Sequence, residues 1–351
     1  MQDQEGGHEH EAAAQADHRT VTAGEKSERD EPRGIVPVHQ AAQRSSRRAR
    51  GATRGAERVT DAGSKGRVRS MALYSARKGF NVGLTVGGIN LNQGFHVMAG
   101  PCSVESAEQV EATAAHLAAK GVRILRGGAY KPRTSPYSFQ GLEEAGLRML
   151  ATAAQKNGMI TVSEVMDTDT IPVVTEYIDV LQVGARNMQN FSLLKKLAAQ
   201  KKPVLLKRGM SATIEEFLLA AEYVLQGNDR VVLCERGVRS FDTITRNMLD
   251  LAGAAVLRQM SHLPVIVDLS HSTGRTDIIV PLARACVALG AEGIMVEVHP
   301  DPQTALCDAD QALSLAEASG LLDAIEPWVA LRTRLDGSRT AASAPGAAAG
   351  A

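Results

Sequence analysis

The sequence predicts an α/β protein built as a closed (β/α)8 barrel, on three observations. Short apolar, β-rich runs recur along its middle, segments of helical periodicity follow them, and there are eight such units in about 240 residues. The runs lack polar alternation, which suits strands covered on both faces as in a parallel sheet. An open doubly wound sheet is the competing architecture, and the count of eight units disfavours it.

In chain order, residues 1–70 contain no Phe, Trp, Tyr or Leu, with acidic residues dominating 1–40 and the basic "RSSRRARGATRGAER" following. Such a segment buries too little apolar surface to offset its ordering entropy, so we expect a disordered extension. A basic arm for an acidic partner is the weaker reading. The catalytic domain is expected over 71–335 and opens on "FNVGLTVGGINLNQGF", whose alternation around Gly-Gly reads as a β-hairpin. The strand runs are "FHVMAG", "VRILRGG", "MITVSEV", "DVLQVGA", "PVLLKRG", "VVLCERG", "PVIVDLSH" and "GIMVEVH". Helical segments between them include "SAEQVEATAAHLAAKG", "TIEEFLLAAEYVLQG" and "DIIVPLARACVALG". The low-complexity end, 336–351, is expected to be unstructured.

Composition narrows the function classes. With 39 basic and 39 acidic residues the formal net charge is zero, so nothing draws the chain as a whole to nucleic acid or membrane. No apolar stretch is long enough to span a bilayer, and the polar, acidic N-terminus is not a signal peptide. The four cysteines, Cys102, Cys234, Cys286 and Cys307, form no CxxC pair, which suits reduced thiols and a cytoplasmic setting.

Barrel active sites lie at the C-terminal ends of the strands. Taking the eight strands in turn, Cys102, Arg126, Glu164, Arg186, Lys207, Arg236, His271 and Glu297 end or follow them, one each. The loop after the second strand, within "RGGAYKPRTSPYSF", adds Lys131 and Arg133 beside Thr134 and Ser135. Six cations around one mouth repel unless anions sit among them, and Arg and Lys are the usual holders of phosphate and carboxylate. Pairing with Glu143, Glu144 and Asp242 could account for one or two of them. Strands one, seven and eight adjoin in a closed barrel, so Cys102, His271 and Glu297 would meet and form a divalent transition-metal site, with Asp308 as a fourth ligand. Each of the three alone has a bland structural reading. His299 competes with Glu297 on spacing, and the pattern leaves that choice open.

These residues sit in longer motifs: "AGPCSVES", "LRGGAYKPRTSPYSFQGL", "VGARNMQNFSLL", "PVLLKRGMSATIEEFLLAAEY", "LCERGVRSFDTITRNMLDL", "PVIVDLSHSTGR" and "VEVHPDPQTALCDADQAL". Over about 71–325 the chain resembles 3-deoxy-7-phosphoheptulonate (DAHP) synthase, in the compact bacterial subgroup of type I. The resemblance implies a transferase that joins phosphoenolpyruvate to erythrose 4-phosphate with release of phosphate, the first step of the shikimate pathway. It places a divalent ion (Mn2+, Fe2+, Co2+ or Zn2+) on Cys102, His271, Glu297 and Asp308, which selects Glu297 over His299. It places phosphoenolpyruvate on Arg126, Lys131, Arg186, Lys207 and Arg236, and erythrose 4-phosphate on Lys131, Arg133, Thr134 and Ser135. Glu164 matches a glutamate near the attacking water. Lys131, between the two substrates, is then our candidate to protonate the new alkoxide, with His271 as the alternative. A homo-oligomer, dimer or tetramer, is also implied.

The chain departs from the family pattern at three places. Leu269 stands where many relatives have proline before the metal histidine, and Cys307 stands where serine is expected before the metal aspartate. Residues 1–70 do not resemble the ferredoxin-like regulatory domain of related compact enzymes. 3-Deoxy-manno-octulosonate 8-phosphate synthase shares the expected barrel, but its Asn-Arg-Ser segment after the lysine differs from Pro132-Arg133-Thr134-Ser135 here. An inactive scaffold whose working part is the N-terminal extension is the reading from another class. The nearness expected of Cys102 and Cys307 also predicts a disulfide between them when metal is absent and oxidant present.

Overall fold

A computed structural model of the chain describes Ser75, residues 83–132 and residues 135–342, with side chains described as far as residue 336. The expected 1–70 extension therefore lies outside the described residues, as do Arg133 and Thr134.

Eight parallel strands close into a barrel: β3 (His96–Gly100), β4 (Ile124–Arg126), β5 (Ile160–Glu164), β6 (Val180–Val183), β7 (Val204–Lys207), β8 (Val231–Glu235), β9 (Val265–Asp268) and β10 (Gly293–Glu297). The closing pair decides between barrel and open sheet. β10 runs parallel to β3 from Gly293 opposite His96 to Glu297 opposite Gly100. The hairpin before the barrel is short, β1 (Thr85–Val86) and β2 (Ile89–Asn90), and both turn glycines take positive φ, 53° at Gly87 and 78° at Gly88. Two left-handed residues are what a two-residue hairpin turn demands.

The hairpin plugs the barrel. Leu84, Val86, Ile89 and Leu91 join Met98, Ile124, Ile160, Val232 and Met295 in one apolar cluster inside the strands. Gly87 lies against Ile160, the first residue of β5, so the plug sits at the N-terminal end, opposite the expected site. Each large side chain so buried contributes roughly 1.5–3 kcal/mol.

A second cluster fills the space between barrel and helices. The surrounding helices are α1 (Ala107–Ala119), α2 (Glu143–Lys156), α3 (Ile171–Tyr177), α4 (Phe191–Leu197), α5 (Ile214–Leu225), α6 (Leu251–Met260), α7 (Leu269–Thr273), α8 (Ile279–Leu289) and α9 (Leu315–Ala342). Their starts follow local chemistry. Ser106 caps α1 by accepting from Gln109 N, and Thr213 with Glu216 forms a full capping box on α5.

Two elements differ from expectation. His271 does not end a strand: β9 stops at Asp268, whose side chain accepts the His271 N–H and caps α7, and Gly274 (φ 66°) terminates that helix. The last helix continues past 335 to Ala342, into the stretch expected to be unstructured. Arg332 bonds Asp336 one turn on, and Arg339, Ala341 and Ala342 suit a helix, although Gly337, Ser338 and Thr340 do not.

Candidate active site

The strand ends deliver the predicted residues to one mouth, where a cavity of about 250 Å³ is lined by Arg126, Lys131, Arg186, Lys207 and Arg236, with Glu164, His271 and Asp308. A sixth cation, Arg246, lines it too and was not singled out in the sequence. Arg246 sits in the irregular loop between β8 and α6, where no periodicity points to a site. Ser135 does not line this cavity.

Arg126 and Lys207 are fixed by carboxylates at the strand ends rather than by Glu143, Glu144 or Asp242. Arg126 Nη1 donates to Glu297 Oε1 at 2.8 Å and to Pro101 O at 3.0 Å. Lys207 Nζ reaches Asp268 Oδ2 at 2.5 Å, and Arg236 Nη2 donates to His271 O at 2.8 Å. Arg246 pairs with Asp308 at 3.3 Å and donates to Gln311 Oε1 at 2.7 Å. By contrast Glu144 pairs with Arg148 on the exposed face of α2. Across the cavity Glu164 accepts from Gln182 Nε2 at 3.1 Å.

One donor atom from each of Cys102, His271, Glu297 and Asp308 lies within 4.8 Å of the other three. The electrostatics suit a cation. Burial pushes Glu297 up, but His271, Arg126 and Lys131 outweigh it and hold the carboxyl at about 2. Asp308 is raised by burial and by Glu297, yet Arg246 and Cys102 bring it below its usual range. Burial lowers His271 against the pull of Asp268 and Glu297, leaving a neutral imidazole. Its Nε2 faces Glu297 Oε1 at 3.2 Å, and buried Nδ1 stands 2.9 Å from Asp268 Oδ2 without well-directed hydrogen-bond geometry. A carboxylate behind the imidazole is the usual support of a metal-binding histidine.

The Cys102 thiol is pushed well up by its hydrogen bond to Cys307, by burial and by the charge of Glu297, so a bound cation would have to displace its proton. Asp308 takes a left-handed φ of 52°, a conformation costing a non-glycine residue about 1–3 kcal/mol, and it is aimed into the cluster. Two ionised carboxylates, a neutral imidazole and a thiol with no bulk between them fit a divalent transition metal. His299 stands outside this group, its Nε2 3.5 Å from Glu105, whereas Glu297 lies within it.

Lys131 lies between the two halves of the site. Its Nζ donates to Cys102 O at 2.9 Å and lies 3.0 Å from Cys102 Sγ. Burial pushes its pKa down, but Cys102, Cys307 and Glu297 more than offset this and hold it above the ordinary lysine value.

Fold and site together set a cation-lined cavity beside a cluster of four potential metal donors at the mouth of a (β/α)8 barrel. Comparison with known proteins narrows this. A family model described as "DAHP synthetase I family" matches residues 86–327, and the chain belongs to that family. It is 55% identical over 232 residues to phospho-2-dehydro-3-deoxyheptonate aldolase of Thermotoga maritima, covering 66% of this chain and 69% of the relative. The crystal structure of a DAHP synthase from that organism superposes with a TM-score of 0.66 at 53% identity, covering 68% of this chain and 70% of the other. A 2-dehydro-3-deoxyphosphooctonate aldolase from Magnetococcus marinus is 33% identical over 250 residues, covering 66% of this chain and 86% of the relative.

Proposed function

We propose that the chain is a DAHP synthase, condensing phosphoenolpyruvate with erythrose 4-phosphate and water to DAHP and inorganic phosphate at the head of aromatic amino acid biosynthesis. The observation that carries this reading is the cation-lined cavity opening beside the four-donor cluster, in a family member 55% identical to a DAHP-forming aldolase over the matched region.

In this reading Arg126, Arg186, Lys207 and Arg236 hold the phosphate and carboxylate of phosphoenolpyruvate. They keep it within reach of a second phosphorylated substrate that it would otherwise repel. Ser135 belongs with Arg133 and Thr134 to the segment that receives the sugar phosphate, while Pro132 lines the cavity and restricts the chain between them. A divalent ion (Mn2+, Fe2+, Co2+ or Zn2+) on Cys102, His271, Glu297 and Asp308 would supply Lewis acidity toward the aldehyde.

C3 of phosphoenolpyruvate attacks the aldehyde carbon, and the positive character at C2 is captured by water, for which Glu164 is the nearby carboxylate. The hemiketal phosphate then releases phosphate by C–O cleavage. Lys131 is the preferred donor to the new alkoxide, because it stays charged and reaches the cluster, whereas His271 is neutral with its Nδ1 turned to Asp268. Cytoplasmic localisation and assembly as a homo-oligomer are part of the same reading.

The octulosonate relative at 33% identity makes arabinose 5-phosphate the acceptor to compare. Phosphate release measured with each sugar phosphate separates the two: erythrose 4-phosphate should give the higher kcat/KM, and a higher value with arabinose 5-phosphate overturns the assignment. Lys131→Gln should lower kcat about 10²–10⁴-fold if the lysine is the general acid, and an unchanged kcat excludes that role.

A further inference from the structure

The loop after β10 leaves the barrel at Val298 and returns at Leu313, the two joined in a parallel bridge, with Leu306, Cys307 and Asp308 near its far end. This excursion carries Asp308 in its left-handed conformation, which persists only where surroundings hold it. Arg246 and Gln311 support it from one side. On the other side stands Glu105, from the loop between β3 and α1 that also carries Cys102.

Glu105 is not the cap of α1, a task Ser106 performs. Its Oε1 instead accepts from Leu306 N at 3.0 Å, across 201 positions of sequence, and from Ser103 Oγ at 3.1 Å. Its Oε2 faces Nε2 of His299 at 3.5 Å, and the side chain is only 12% exposed. His299 Nδ1 accepts from Asp301 N at 3.1 Å, which leaves the ring proton to Nε2, the buried nitrogen beside that carboxylate, although the pair lacks well-directed hydrogen-bond geometry. The glutamate's own loop is braced: Glu105 N donates to Gln109 Oε1 at 3.1 Å, and Gln109 Nε2 donates to Ser103 O at 3.0 Å. A rigid carboxylate thus grips the far loop two residues before Asp308.

We propose that Glu105 is a positioning residue for the metal-ligand set, fastening the loop that carries Cys102 to the loop that carries Asp308. The inference rests on the reading of Cys102, His271, Glu297 and Asp308 as metal ligands. Glu105 belongs neither to the cavity lining nor to the donor group. It fixes the distance between two ligands drawn from opposite ends of the domain's sequence, so its loss should loosen metal binding while leaving the phosphoenolpyruvate cations in place.

The test is an equilibrium Co2+ titration of metal-free protein, followed by thiolate-to-cobalt absorption, with the melting temperature and the KM for phosphoenolpyruvate at saturating metal. Glu105→Ala should weaken Co2+ binding about 10–100-fold, the usual cost of losing support behind a ligand set, with KM altered less than about twofold. Glu105→Gln keeps an oxygen facing Leu306 N and Ser103 Oγ, and should restore affinity to within about threefold of wild type. A folded Glu105→Ala protein that binds Co2+ as wild type does overturns the proposal. So does a Gln variant as weak as the Ala variant, since charge and not the tie would then be at work. If the Ala variant does not fold, Glu105→Asp, whose carboxylate is drawn back by one methylene, decides: weaker binding supports the tie and unchanged binding overturns it. Absence of a thiolate band in the wild-type protein would instead refute Cys102 as a ligand.

Discussion

Glu297, fully buried, and His271, at the cavity wall, each hold the protonation state that a cation needs, and the fold is exposed to acid as a result. For Glu297 the folded pKa of about 2 lies below the usual 4.5, so its contribution is present above pH 4.5 and disappears as pH falls toward 2. A shift of that size corresponds to roughly 3 kcal/mol. His271 is also lowered from 6.5, so protonating it in the fold is unfavourable and stability begins to fall below that pH. Both act in the same direction. The urea midpoint of metal-free protein should drop steeply from pH 7 to pH 3, and Glu297→Gln should flatten the segment below pH 4.5; parallel curves would contradict the assignment. Beside them Cys102 Sγ stands 3.2 Å from Cys307 Sγ, both buried. In metal-free protein a two-electron oxidant such as oxygen should remove both thiol hydrogens and join the sulfurs. Peptide mapping should find that link in air-inactivated protein, and metal-loaded protein should resist it.

At the scale of elements, the sequence was most informative where strands are continuously apolar and their ends are not. Arg126, Glu164, Lys207 and Glu297 occupy the last position of their strands, as the pattern predicts. His271 was harder because "DLSH" follows directly on the apolar run Val265–Val267, and only the bond from His271 N to Asp268 shows that the chain has already turned into α7. The signal was present as Asp at the cap position and Gly274 at the exit. Arg246 and Glu105 were not legible in this way, because their partners Asp308 and Leu306 come close only once β10 closes against β3. The hairpin plug was legible as a hairpin, but not as a lid over the barrel floor. Leu91 is fully buried there, and Leu91→Ala should cost about 2–5 kcal/mol. Thermal unfolding should show that loss with the KM for phosphoenolpyruvate unchanged; a large change in KM would mean that the plug and the mouth are coupled.

On the scale of the whole molecule, the barrel separates stability from chemistry. Its N-terminal end is sealed with apolar side chains, and its C-terminal end carries the cations and the donor cluster. A truncated chain starting at Met71 should therefore keep full kcat/KM, because every site residue follows it; loss of activity would give residues 1–70 a part in the chemistry. The central claim is that a cation on Cys102, His271, Glu297 and Asp308 makes the condensation possible. The most direct measurement is phosphate release from phosphoenolpyruvate with erythrose 4-phosphate before and after exhaustive metal removal. Release should require both substrates, fall to background after chelation and return with a divalent transition metal, whereas an undiminished rate in verified metal-free protein would contradict the account.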